Sequence, residues 1–132
     1  MLGGIADQKE YLAAANTLTV TLAMVETRTA LANLDAIAAT PGIDGLFLGP
    51  SDLSITLSEG RNLDPLSQEV EGHLDRIIAA AHKAGKIAGA YCHNADRAVA
   101  LSRRGARYLA VSSDMAFLRA GTAAQVKVLR GG

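Results

Sequence analysis

The sequence predicts an α/β fold built from four parallel strand–helix units. Three observations carry this. Short apolar runs alternate along the chain with longer stretches of helical spacing. The units follow one another in one order, strand then helix, which predicts parallel strands joined by right-handed crossovers. Alanine is abundant while aromatic residues make up 4%, so helices can lie close on a sheet.

Each element has its own justification. Gln8 to Ala15 reads as the end of a helix whose own strand is missing. The β-branched run near 19–25 (Thr-Val-Thr-Leu-Ala-Met-Val) has the length of a buried strand. Glu26 ends it, and Thr27 to Ala39 is helical in spacing, with Ala30, Leu31, Leu34, Ile37 and Ala38 on one side, until Pro41-Gly42 stops it. A second strand at 45–48 breaks at Gly49-Pro50. A longer loop follows, and Pro65 introduces a helix striped by Val70, Leu74, Ile77, Ile78 and Ala81, closed by Gly85. The third strand, 87–91, leads to a helix over Asp96 to Arg104 and a Gly105 stop. The fourth, 108–111, leads to a helix from about Met115 to Leu129. Residues 1–132 thus form a single domain with no linker. Four units amount to half of a (β/α)8 barrel of roughly 250 residues, or to a small open doubly wound sheet.

Composition narrows the function. With 13 basic and 13 acidic side chains the net charge is zero, so no basic excess exists to neutralise nucleic-acid phosphates. No apolar stretch reaches the roughly 20 residues of a membrane span. The first seven residues lack the regions of a secretory signal. One cysteine, Cys92, excludes an internal disulfide and suits a reducing compartment. These features point to a soluble, cytoplasmic domain with no nucleic-acid or membrane partner.

Both candidate architectures place chemistry at the carboxyl ends of the strands. Those ends carry Glu26-Thr27-Arg28, Gly49-Pro50-Ser51-Asp52, Cys92-His93-Asn94 and Ser112-Ser113-Asp114. Adjacent strands lie roughly 4.8 Å apart, so Glu26 and Asp52 can share a cation; two oxygen ligands with open positions suit Mg²⁺ or Mn²⁺. The plainer alternative stays open: Glu26 favours a helix start and Asp52 caps the turn at Leu53. The Gly49–Asp52 turn is either an anion site built from free amides or a tight turn only. Adjacent residues on a strand face opposite ways, which makes Cys92 a buried thiol and His93 a loop residue rather than a nucleophile–base pair. His73 and His82 read as surface residues on a helix, Asp114 as an N-cap with a modest pocket role left open, and Arg103, Arg104 and Arg107 as a solvated helix end.

Two segments taken together, Leu22-Ala-Met-Val-Glu-Thr-Arg28 and Pro41-Gly-Ile-Asp-Gly-Leu-Phe-Leu-Gly-Pro-Ser-Asp-Leu-Ser54, closely resemble the HpcH/HpaI aldolase/citrate lyase family, including its spacing from Glu26 to Asp52. Ala84–Gly89 and Ala110–Asp114 are similar to its later strand regions, and the resemblance runs from about Tyr11 onward. It implies the C-terminal half of a TIM (β/α)8 barrel and a class II aldolase that joins or cleaves pyruvate, or another 2-oxo acid, and an aldehyde. In the family the acids matching Glu26 and Asp52 hold a divalent cation (Mg²⁺ or Mn²⁺, with Co²⁺ a further option). The resemblance places the 2-oxo acid in a cradle at Gly49, Pro50, Ser51 and Asp52, with its carboxylate on the backbone amides. Two departures stand out. Met24 occupies a position where many members have glutamine, and the family's catalytic histidine and substrate-binding arginine belong to a first half with no counterpart here. No catalytic residue is therefore assigned in this chain, weak or absent activity is expected of it alone, and its open half-barrel is expected to form a homo-oligomer. The rival readings are a CoA-linked lyase of the citrate-lyase β type, for which no basic cluster is evident, and a non-catalytic half-barrel that only binds metal or assembles.

Overall fold

The computed structural model describes residues 7–131. Helix α1 (Gln8–Leu18) precedes strand β1 (Leu22–Val25); then come α2 (Arg28–Ala32), α3 (Leu34–Ala39), β2 (Gly45–Leu48), α4 (Pro50–Leu57), α5 (Gln68–Lys83), β3 (Ile87–Cys92), α6 (Ala95–Arg103), β4 (Tyr108–Val111) and α7 (Asp114–Leu129). The strands form one sheet in the order β1-β2-β3-β4. Every pairing is parallel, with Leu22 opposite Gly45, Gly45 opposite Ile87, and Gly89 opposite Tyr108. The expected α/β architecture of four parallel units is present.

Strand alternation sorts the side chains into two faces. Val25, Leu46, Leu48, Ala88, Ala90 and Cys92 point to one face and are at most 1% exposed. Helix α5 lays Val70, Leu74, Ile77 and Ala81 on that face, with Leu31, Leu34 and Leu101 from its neighbours. The core thus lies between the sheet and its helices. The other face carries Leu22, Met24, Phe47, Tyr91 and Tyr108, and among the described residues it is the more open one, with Met24 55% and Tyr108 49% exposed. Glycine fits this face at two points. A Cβ on Gly45 would meet the Ile87 carbonyl oxygen at 2.6 Å, and one on Gly89 would meet Phe47 and Tyr108 at 3.0 Å. Over Gly89 the Phe47 and Tyr108 rings meet edge to face, 6.0 Å apart.

Several boundaries differ from expectation, for identifiable reasons. β1 begins at Leu22, not at 19, because α1 runs on to Leu18 with Thr19 as its C-cap. The helix expected over Thr27 to Ala39 breaks at Asn33, whose side-chain amide donates to the Thr29 carbonyl. Pro50 does not merely break the chain: it occupies the first turn of α4, where its missing N–H costs nothing. α5 starts later than Pro65, capped by the Ser67 hydroxyl, which accepts from Val70 N–H. Ser113, not Asp114, caps α7, accepting from Ala116 N–H, and Asp114 is the first helical residue. Arg104 is not a solvated helix end. Its guanidinium reaches Glu71 at 2.5 Å and Asp75 at 2.6 Å, and Arg97 also pairs with Glu71, locking α6 to α5. α1 precedes edge strand β1 and α7 follows edge strand β4, and neither helix has a buried residue. The segment examined for a secretory signal falls, except for its last residue, outside the described residues.

Candidate active site at the strand ends

Glu26 follows β1 directly, and Gly49 follows β2, its pairing neighbour. The next residues wind into α4, so Pro50, Ser51 and Asp52 form that helix's first turn. Leu53 N–H makes the first bond of the turn, to the Gly49 carbonyl at 3.0 Å. Pro50 has no N–H, and the amides of Ser51 and Asp52 have no helical partner by position. Arg28, at the start of α2, donates to the Leu57 carbonyl at the far end of α4. That bond ties the segment carrying Glu26 to the helix carrying Asp52.

Gly49 is where the two acids meet. A Cβ there would lie 2.6 Å from Glu26 Oε2 and 3.6 Å from Asp52 Oδ2. Both carboxylates therefore border the small space that the absent side chain leaves. Glu26 Oε2 is buried and has no hydrogen-bond partner. Burial first, then the Asp52 charge, raises the Glu26 carboxyl above its ordinary pKa. A buried, unpartnered carboxylate oxygen next to a second carboxylate is electrostatically costly unless a cation lies between them. The donor set is all oxygen and comes from one side, which fits a hard divalent ion completing its shell with water and substrate. Among the described residues no group of three or more His, Cys, Asp or Glu gathers, so this chain offers two carboxylates rather than a closed site.

The remaining strand ends divide as the alternation requires. Cys92 is fully buried on the helix side, and burial raises its thiol pKa, as an inert structural cysteine requires. His93 is exposed on the rim, its ring edge to face with Tyr91 at 5.3 Å. Ser112 takes a left-handed φ of 60° and donates its N–H to the Cys92 carbonyl at 2.7 Å. His73 is only partly exposed, within reach of Arg76; burial first, and then the Arg76 charge, lowers its pKa. His82 is exposed and pairs with the Gly105 carbonyl at 3.0 Å. Neither lies at a strand end. Sequence reading missed Arg28 as a positioning residue; a cation three residues before a predicted helix face gives no signal of a partner 29 positions away.

A parallel strand–helix array of this order has the form of half a (β/α)8 barrel, with two acids on its carboxyl rim. The chain belongs to the HpcH/HpaI aldolase/citrate lyase family, whose model matches residues 4–120. It is 39% identical over 110 residues to a hydroxypyruvate/pyruvate aldolase of Rhizorhabdus wittichii, covering 83% of this chain and 44% of that protein. It is 36% identical over 122 residues to a 5-keto-4-deoxy-D-glucarate aldolase of Klebsiella pneumoniae, covering 92% and 46%. A solved HpcH/HpaI aldolase/citrate lyase family protein from Burkholderia cenocepacia superimposes with a TM-score of 0.82 at 30% identity, over 98% of this chain and 53% of that one. The chain thus spans about half the length of the curated relatives it matches. Among the described residues no helix is long and apolar enough to cross a membrane.

Proposed function

We propose that this chain is the metal-holding and 2-oxo-acid-binding half of a class II aldolase, which forms or cleaves a carbon–carbon bond between pyruvate, or a close 2-oxo acid, and an aldehyde. The observation that carries the reading is the buried, unpartnered Oε2 of Glu26 facing Asp52 across Gly49. Glu26 and Asp52 hold a divalent cation, Mg²⁺ or Mn²⁺ first and Co²⁺ next. When bound, that ion supplies Lewis-acid polarisation of the 2-oxo acid. Gly49 keeps the approach to the carboxylates open. The amides of Ser51 and Asp52, at the positive end of α4, receive the substrate carboxylate, and Pro50 fixes the turn that presents them. Aldolases of two kinds among the relatives support the reaction class.

Proton transfer is the part this chain does not supply from its identified residues. General acid–base catalysis contributes roughly 10²–10⁴-fold, so the chain by itself turns over slowly or not at all. The test is calorimetric titration of Mg²⁺ or Mn²⁺ with and without pyruvate, paired with NMR of deuterium exchange at the pyruvate methyl group. Saturable metal binding that pyruvate strengthens, lost in Glu26→Ala/Asp52→Ala, supports the reading. Binding unchanged in the double variant overturns it.

A further inference from the structure

We propose that His93, across Gly49 from Glu26, moves the proton at the methyl carbon of the bound 2-oxo acid, the step that Glu26, Asp52 and the α4 turn do not supply. The inference deepens the function proposed above and rests on it. Sheet register supplies the placement. Val25, Leu48 and Ala90 are level with one another in β1, β2 and β3, so Glu26, Gly49 and Tyr91, one step on, form the next row. His93 lies two residues beyond Tyr91, and the two rings meet edge to face, 5.3 Å apart with their planes at 78°. That contact puts the imidazole on the Tyr91 face of the sheet, not on the helix side where Cys92 is buried. Gly49, between them, has no side chain to screen His93 from the acids, and both carboxylates border the gap it leaves. Two strand spacings and two residues of rise separate the Cα atoms of Glu26 and His93 by about 12 Å. A carboxylate, an imidazole and a pyruvate-sized acid between them fill that span.

The backbone holds His93 from both sides. Ser112 N–H donates to the Cys92 carbonyl at 2.7 Å, which carries the β3–β4 pairing up to the residue before it. The residue after it, Asn94, caps α6 by accepting from Arg97 N–H at 2.9 Å. A ring steadied by Tyr91 on a fixed stem is pre-organised, while its exposure leaves it open to substrate. The other two histidines are engaged elsewhere, His73 with Arg76 and His82 with the Gly105 carbonyl. Among the described residues His93 is thus the one imidazole at the carboxyl ends of the strands. Imidazole is the commonest side chain in general acid–base catalysis. Neutral His93 takes a proton from the methyl carbon; the C–H electron pair becomes the carbon–carbon double bond of the enolate, and the carbonyl pair moves onto oxygen. In condensation the enolate carbon attacks the aldehyde carbon, and the imidazolium gives its proton to the aldehyde oxygen. Cleavage runs the same steps in reverse.

Mn²⁺ titrated in the presence of pyruvate tests the placement without turnover. The expected result is that the NMR signals of the His93 ring broaden first, while those of His82, at the opposite end of the strands, are spared. His93→Gln is expected to keep Mn²⁺ and pyruvate binding by calorimetry while deuterium exchange at the pyruvate methyl group slows about 10²-fold. His82→Gln is expected to keep both. Imidazole added to the buffer is expected to restore exchange in His93→Ala, which a merely structural role would not produce. With Mn²⁺ bound, four results overturn the proposal and leave the metal site standing: His93 signals broadened no more than those of His82, no exchange in the unaltered chain, exchange unchanged in His93→Gln, or no recovery with imidazole. No Mn²⁺ binding by the unaltered chain overturns the proposed function as well.

Discussion

Gly49 sets the tolerance of the site. Because a Cβ would fall 2.6 Å from Glu26 Oε2, Gly49→Ala must push that carboxylate away or shift the start of α4. We expect the variant to fold while Mn²⁺ affinity drops at least tenfold, read by calorimetry. Glu26 makes the complementary prediction. Its folded-state pKa is raised above the ordinary value of 4.5, so its contribution to stability is complete below that unfolded value and is lost as pH rises through the folded one. Metal-free protein should therefore melt lower at pH 7 than near pH 5 on this account. Glu26→Gln should flatten that difference and raise the neutral-pH melting temperature, while abolishing metal binding; a scan of melting temperature against pH for both proteins checks it. Glu26 was legible in the sequence because it stands directly after a strand, and Asp52 because it falls in the turn that follows the next strand. The space between them was not, since a glycine's missing Cβ has meaning only once its neighbours are placed.

At the scale of elements, the α5–α6 contact rests on charge as well as on apolar packing. Burial alone would raise the Glu71 carboxyl pKa, but hydrogen bonds and charge from Arg97 and Arg104 outweigh it and hold the group below its ordinary range. That stabilisation is present above the unfolded pKa and disappears as pH falls through the folded one. Removing the carboxylate in Glu71→Ala leaves two part-buried guanidinium groups short of a partner and should cost about 2 kcal/mol, measured by urea unfolding. Leu74→Ala, which empties a fully buried position between α5 and the sheet, should cost about 2–5 kcal/mol. The strands at 45–48 and 108–111 were readable to the residue because each is a four-residue run closed by a polar residue or glycine, Asp44 and Gly49 for one and Arg107 and Ser112 for the other. α4 was not, because Gly-Pro-Ser-Asp describes a sharp turn and a helix start equally well. Asn33 divides a pattern that apolar spacing alone makes continuous, and the Arg104 pairings join residues 29 and 33 positions apart, beyond the reach of local pattern.

At the scale of the whole molecule, the four strand–helix units share one core on one face of a single sheet. The four-unit organisation was legible because each strand is followed by its own helix. Which face of the sheet the helices cover was not legible, as it depends on which side of each strand they occupy.

The strand order has a last consequence, for how the chain reaches this state. Every strand pairs with the next one in the sequence, so no pairing waits for a distant segment to arrive. Loop-closure entropy grows slowly with length, and such nearest-neighbour order favours stepwise zipping over a late global search. The β2–β3 connection is the longest, because it contains both α4 and α5, and its closure carries the largest loop entropy of the three. The acidic pair lies just after β1 and in the first turn of α4, ahead of that closure in the chain, so bringing the carboxylates together does not require α5 to have packed across the sheet.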